Sequence, residues 1–276
     1  MSVLFKAEDH SYKSVNPEEN INWISVTSLV GKFKEKFDAK GVSEKVSKNK
    51  KSKWYGMSPE DIQKAWTKES ERAMSLGTWY HNERESDLLS LNTLEQEGVT
   101  LNVINPIIDE NGIKIAPIQK LENGIYPEHF VYLKSAGLCG QSDRVDIINN
   151  VVNIIDYKTN KEIKTEGFKN WEGITRKMLM PIAHLDDCNF NHYALQLSFY
   201  MYIIIKHNPK LKPGNLNIHH IIFEEEGTDL HGNPIAKLDE HQNPIVKDVI
   251  IYDIPYLKEE VITLIKHLND NRSYFN

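Results

Sequence analysis

Cysteine is scarce in this chain: Cys139 and Cys188 are the only two among 276 residues. Two cysteines say little about disulfides, and two buried thiols in a reducing compartment are the expectation. A four-cysteine iron–sulfur cluster cannot be built from this chain alone. Long apolar runs are missing as well. The longest, over residues 197–205, is interrupted by Ser198 and falls well short of the roughly 20 residues a membrane-spanning helix needs, so no membrane is expected among the partners. The opening residues, Met1 to Asp9, lack the basic-then-apolar order of a secretory signal, and a cytoplasmic location is expected. There is no excess of basic charge either: 33 Lys and Arg stand against 39 Asp and Glu, a net charge of −6. That argues against coating by nucleic acid through bulk charge but leaves room for a local patch.

What is present suits one large domain over 1–276. The hydrophobic fraction of 40% is enough for a sizeable core. Residues 1–30 read as strand and turn, with a turn at Asn16-Pro17 and Ser25 or Thr27 placed to cap a helix through Leu29, Val30 and Phe33. Residues 38–58 are polar and read as a loop or weak helix. Within them Lys45, Lys48, Lys50, Lys51 and Lys53 fall close together; such a run is by default a solvated face. Ser58-Pro59-Glu60-Asp61 is a strong helix start, opening one or two helices to about residue 91.

After mixed residues with turns near Asn105-Pro106 and Asn111-Gly112, three strands are expected. They run from His129 to Lys134 (after a turn at Gly124 and Pro127), from Leu138 to Ile148, and from Val151 to Lys158 beyond an Asn149-Asn150 hairpin. The third is apolar on both faces, as a covered central strand would be. A helix over 189–207, a strand over 217–224 and a closing helix over 255–268 follow. Residues 229–247 hold a short echo, His231-Gly-Asn-Pro-Ile-Ala-Lys against His241-Gln-Asn-Pro-Ile-Val-Lys, which suggests a turn-rich β excursion. The order helix, three strands, helix, strand predicts an α/β fold with a central mixed sheet flanked by helices. An N-terminal helical region (1–76) precedes a core over 77–224, and the excursion and closing helix fill 225–276.

The chemistry is concentrated in Gly140-Gln-Ser-Asp143 and Asp156-Tyr-Lys158-Thr. Strand alternation turns Asp156 and Lys158 one way and Tyr157 the other. Tracing the hairpin outward brings Asp143 opposite the region of Asp156, whereas Asp146 falls on the other face, where it pairs with Arg144 or meets the surface. Two acids buried together on a nearly apolar strand need a cation. Oxygen ligands favour Mg²⁺, with Mn²⁺ an alternative.

These segments resemble the PD-(D/E)XK nuclease superfamily, and within it the RecB-like exonuclease branch, which carries Gly-X-X-Asp on one strand and Asp-Tyr-Lys-Thr/Ser on the next. Gly77-Thr-Trp-Tyr-His81 resembles that family's upstream Gly-X-X-X-His helix, and Gln196-Leu-Ser-Phe-Tyr200 its downstream Gln-X-X-X-Tyr helix. Glu128 resembles an acid that phage members place before the first motif strand. Tyr12 and Ser25-Val-Thr27 are similar to phage-borne relatives and to the mitochondrial genome-maintenance exonuclease. Ser142 stands where the family's name has Pro, as in most RecB-like members.

The resemblance implies a restriction-endonuclease-like core and a Mg²⁺-dependent deoxyribonuclease, acting as an exonuclease on ends or single strands. His81, Glu128, Asp143, Asp156 and the Tyr157 carbonyl are implied metal ligands, Lys158 serves the attacking water, and Gln196 and Tyr200 border the site. Lys48, Lys50, Lys51, Lys53 and Trp54, with Gln196, are expected to meet nucleic acid by charge and stacking. DNA is then the partner, alongside replication or recombination proteins, in a host cytoplasm if the chain is phage-encoded. The alternatives are a catalytically silent nucleic-acid-binding module of the same fold and a nuclease acting on RNA. A site-specific endonuclease is disfavoured, because no separate recognition domain is visible in the sequence.

Overall fold

The structure, a computed structural model, describes residues 3–6, 11–14, 16, 18, 21–108, 114–115 and 119–274. The expected turn at Asn111-Gly112 and half of that at Asn16-Pro17 lie outside these residues. In chain order the elements are β1 (Val3–Lys6), β2 (Ser11–Ser14), β3 (Ile24–Ser25), α1 (Val26–Gly31), α2 (Ala39–Lys48), α3 (Pro59–Leu89), β4 (Thr93–Gln96), β5 (Val99–Asn102), β6 (Ile107–Ile108), β7 (Lys114–Ile115) and β8 (Gly124–Leu133). Then come β9 (Leu138–Ile148), β10 (Val151–Lys158), α4 (Asn189–His207), β11 (Lys212–Phe223), β12 (Glu225–Thr228), β13 (Pro234–Ala236), β14 (Val246–Ile254) and α5 (Lys258–Asp270).

The fold is mixed α/β. The central sheet runs β14-β11-β10-β9-β8, with β3 lying parallel on the first residues of β9. β10 and β11 are parallel, while the β8–β9, β9–β10 and β11–β14 pairs are antiparallel. Sequence chemistry accounts for the landmarks. Asn149 and Asn150 both adopt left-handed backbone, with φ of 52° and 64°, as a two-residue hairpin of the twist-matching kind requires. Ser58 caps α3 by accepting from the Asp61 N–H, with Pro59 at the first position. Ser25 caps α1 through the Ser28 N–H.

The centre of the sheet is covered on both faces, while most of β14 at the edge is exposed. Val145, Ile147, Val152, Ile154 and Ile218 pack beneath α1, α4 and α5, where Leu195, Leu197, Phe199 and Met201 of α4 are fully buried. On the other face Tyr157, Ile221 and Phe223 pack against Leu76, Trp79 and Tyr80 of α3. Burying these side chains supplies the main driving force, at roughly 25 cal/mol per Å² of apolar surface.

Several boundaries differ from expectation. β8 begins at Gly124 and carries Pro127 inside it; an edge position tolerates a residue without an N–H. β11 starts five residues earlier than its pattern predicts, at Lys212. β14 has no counterpart among the predicted strands. Residues 38–58 contain a true helix, α2, whose Asp38 cap accepts from the Gly41 N–H. α3 runs unbroken past residue 76, so the division of the chain there falls inside a helix. No helix among the described residues is long and apolar enough to cross a membrane.

Candidate metal centre

The pairing of β9 with β10 ends at Ile155↔Arg144. One step further, Asp156 would face Asp143. There the strands part, and the Asp143 carboxylate bridges the gap by accepting the Tyr157 N–H at 2.7 Å. On the opposite side of β9, Pro127↔Arg144 and His129↔Ser142 leave Glu128 level with Asp143, at φ 46°. From α3, His81 reaches in, its Nδ1 lying 3.3 Å from Asp143 Oδ1 and its Nε2 3.1 Å from the Tyr157 carbonyl oxygen. One ligand atom each from His81, Glu128 and Asp143 fall within 4.8 Å of one another.

Asp156 is not in that trio. Its side chain, 1% exposed, pairs with Lys158 (Nζ to Oδ2 2.5 Å) and accepts from Gln196 Nε2 at 3.3 Å. The same Gln196 amide reaches the Tyr200 hydroxyl at 3.2 Å. Gln196 thus spends its donor on Asp156, not on Lys158. Of the expected ligands, His81, Glu128, Asp143 and the Tyr157 carbonyl come together, and Asp156 stands beside them, held by a cation and an amide.

Two glycines allow this approach. A Cβ on Gly140 would lie 2.6 Å from Tyr200 Cε1, so the Gly-X-X-Asp strand and the Gln-X-X-X-Tyr helix fit only because residue 140 has no side chain. A Cβ on Gly77 would meet Thr159 Oγ1 at 3.1 Å, which lets α3 bring His81 close to the end of β10.

The electrostatics are those of a cluster in mutual compensation. Burial would lower the His81 pKa, but the hydrogen bond and charge of Asp143 outweigh it and push it up to about 9. Burial would raise Asp143, but His81 and Lys158 hold it below the ordinary carboxylate range. Burial raises Asp156, opposed by Lys158 and reinforced by Asp143. Burial would deprotonate Lys158, but Asp156 and Asp143 keep it firmly charged. In this state Lys158 is a cationic donor. The two carboxyls are driven apart in pKa, a pattern common where acids share a site. The donor set, carboxylates, a carbonyl and one imidazole, fits a hard divalent ion such as Mg²⁺ or Mn²⁺. Such an ion would take the place of the proton that joins His81 to Asp143.

Spacing alone does not single out Tyr193 or His220. The Tyr193 ring lies 5.0 Å from Lys158 Nζ, and its hydroxyl donates to Asn160 Oδ1 at 2.6 Å. His220, paired with Lys158 in register, places Nε2 2.5 Å from the Asn160 carbonyl oxygen. Together they pin the turn that follows Lys158. The only sequence signal is their aromatic character near the motif.

The expected nucleic-acid set is dispersed differently. Lys48, Lys50 and Lys51 are solvent-exposed at the end of α2 and the turn after it. Lys53 is tied to the His231 carbonyl at 2.5 Å. Trp54 is 8% exposed, packed edge-on to Trp66 and against His231, so it offers no free face for stacking and is a core residue here. No protein-family model matches the chain, and no curated protein matches it.

Proposed function

We propose that this protein hydrolyses phosphodiester bonds of DNA with a divalent metal, as a nuclease of the PD-(D/E)XK type. The observation that carries the reading is the convergence of His81, Glu128 and Asp143 at the point where β9 and β10 part, next to the buried Asp156–Lys158 pair. Asp143 and Asp156, thirteen residues apart in the chain, lie here at one end of a sheet.

His81, Glu128, Asp143 and the Tyr157 carbonyl would hold the ion. When bound, it supplies polarisation of a phosphate and a lowered pKa for a water. The rest is done by the chain. Lys158, cationic and 18% exposed, donates to the attacking water or to a phosphate oxygen as charge develops. Asp156 fixes the direction of the ammonium, and Gln196 fixes Asp156. Tyr193 and His220 hold the turn after Lys158 so that its stem cannot swing away. Action at ends or on single strands is part of the proposal, supported by the exposed lysines of the α2 end, which suit contact with backbone phosphates.

The test is degradation of end-labelled linear single strands, linear duplexes and covalently closed circles, with Mg²⁺ and with excess EDTA. Metal-dependent loss of the linear substrates alone is expected. Binding without cleavage would identify a silent module instead. Equal loss of the circle would replace the exonuclease reading with an endonuclease, and cleavage of RNA in preference to DNA would reassign the substrate.

A further inference from the structure

Beside the metal centre, α3 and the ends of β10 and β11 enclose a second feature, a cleft of about 100 Å³. Its walls are apolar: Ala73 and Leu76 from α3, Ile221 and Phe223 from β11, and Pro234 and Ala236 from β13. The last two belong to the first copy of the His-Gly-Asn-Pro-Ile echo. That copy is anchored. Asp229 Oδ1 accepts from the His231 and Asn233 N–H groups, each at 2.8 Å, and His231 is held by Lys53 and by the Trp54 ring, 5.1 Å centroid to centroid. The second copy makes the same turn, with Asp239 accepting from His241 and Asn243 at 2.8 Å each, yet lines no part of the cleft. The buried tryptophan and the tied lysine of the basic segment therefore press one wall of this cleft into place.

The mouth is polar and adjoins the metal centre. Thr159, Asn160 and Lys161 follow Lys158 directly and line the cleft. Leu76 precedes His81 by five residues, about 7.5 Å along the helix axis. Asn160 uses its Oδ1 to accept from Tyr193, which leaves its amide N–H groups to donate. Glu69 grips Arg72 through two bonds of 2.8 and 2.9 Å, holding a flat guanidinium at the rim. Glu225 adds an exposed carboxylate.

We propose that this cleft is a nucleobase-binding site, taking the base of a nucleotide whose phosphate lies toward Lys158 and Lys161. The dimensions and chemistry select this occupant. The volume admits one small ring system and not a helix or a strand of peptide. The apolar walls suit a base face, and the Arg72 plane suits stacking on it. The Asn160 amide and the Glu225 carboxylate offer a donor and an acceptor to a base edge, the latter matching an exocyclic amine. Lys161 supplies charge for the phosphate. The proposal rests on the phosphodiesterase reading for the orientation of the nucleotide, but not for the existence of the site.

The test is therefore direct binding, without divalent ions and without turnover. The full-length protein is titrated calorimetrically with deoxyadenosine 5′-monophosphate and with deoxyribose 5-phosphate, which lacks the base. Wild type should bind the nucleotide at least ~10-fold more tightly than the sugar phosphate. Ala236→Trp and Ala73→Trp, each of which fills the cleft, should abolish that difference, while Leu238→Trp, between the two echo copies and outside the cleft lining, should leave it intact; circular dichroism checks that each variant is folded. Equal affinity of wild type for the two ligands overturns the proposal, as does a nucleotide preference that survives both filling variants in folded protein. Base-dependent binding in a protein that never cleaves DNA would sink the nuclease reading and leave the cleft standing. Metal-dependent cleavage without base-dependent binding would do the reverse.

Discussion

β9 carries two buried ionic groups on opposite faces, and they are built in opposite ways. On the face toward α3, Arg144 and Asp146 form a closed pair: Nε to Oδ1 and Nη2 to Oδ2 are both 2.8 Å, and the spare Nη2 hydrogen goes to Gln96 at 3.0 Å. Asp146 is fully buried. One cation meets one acid in a two-pronged pair, and Gln96 takes a further donor. On the face toward α4, three acids (Glu128, Asp143, Asp156) share two cationic partners, His81 and Lys158, and ligand atoms of His81, Glu128 and Asp143 converge around one point, with His81 3.3 Å from Asp143. Burial alone does not distinguish these places. The difference lies in stoichiometry and direction: the Arg144–Asp146 pair is complete, whereas the other cluster is a set of donors arranged around a point. A complete buried pair is a feature of specificity and stability, whereas an incomplete one points to a ligand or a reaction.

The comparison breaks first at the carboxylates. Asp143→Asn and Asp156→Asn should each cut metal-dependent cleavage by more than ~10³-fold while the fold survives, because the amide keeps the shape of the carboxylate and His81 and Lys158 each keep a second acid nearby. In Asp143→Asn the amide oxygen can still accept the Tyr157 N–H. Rates on end-labelled DNA and thermal melting are the measurements. Cleavage by wild type in excess EDTA would defeat the assignment.

The closed pair should behave in the converse way. Arg144→Met leaves Asp146 buried without a partner, and Asp146→Leu strands Arg144, so each should destabilise by roughly 3–5 kcal/mol in urea unfolding. The double replacement should recover most of that loss, and the folded fraction of each variant should cleave at the wild-type rate per molecule. A cost under about 1 kcal/mol would mean that the pair is not what closes this face.

His129 offers a third case, a buried group with neither a pair nor a cluster. It lies opposite Ser142 on β9, and its Nε2 has no hydrogen-bond partner among the described residues. Burial lowers its pKa to about 4. The sign follows: the unfolded chain takes up a proton as pH falls through about 6.5, and the native protein does not until about 4. Stability from this group is complete above about 6.5 and is lost on descending to about 4, by roughly 3 kcal/mol. His129→Phe should flatten that part of the stability profile, measured by unfolding at pH values of about 7, 5.5 and 4. An unchanged slope would show that other groups dominate it.

How much of the molecule is legible in its sequence depends on the range of the interactions. The bounds of β9, β10 and α4 are legible because they are set locally, by the Asn149-Asn150 turn and by unbroken apolar periodicity. The opposition of Asp143 and Asp156 follows from counting outward from that same turn. Gly124 and Pro127 mislead, since a proline inside an edge strand looks like a turn until the neighbouring strand is known. β14 is hidden behind the echo, although Val249-Ile250-Ile251 is a β-branched run. Trp54 looks like a stacking residue because its burial depends on Trp66 and on His231, distant in sequence. The fit of Gly140 beneath Tyr200 is likewise beyond pattern reading: two motifs stand apart in the chain, and only packing shows that one is the space the other fills.

The smallest of the expected effects is also the most diagnostic. Lys158 has two partners of different kinds: Asp156, which keeps it charged, and the Tyr193 ring, 5.0 Å from its ammonium. If its work is to stabilise developing charge or serve a water, Lys158→Ala should lose about 10²-fold in rate, yet bind Mn²⁺ much as wild type does, because the lysine is not a ligand. If its work is structural, the loss should come from Asp156, left buried without its cation, and should show as instability. The two accounts separate in the folded fraction of the single variant, whose rate per molecule stays low if the lysine is catalytic and recovers if it is structural. Asp156→Asn with Lys158→Ala removes the stranded charge, so stability should return while cleavage stays lost. Near wild-type cleavage by Lys158→Ala would instead make the lysine a counter-ion alone, and the cluster would then differ from the Arg144–Asp146 pair only in being less tightly closed.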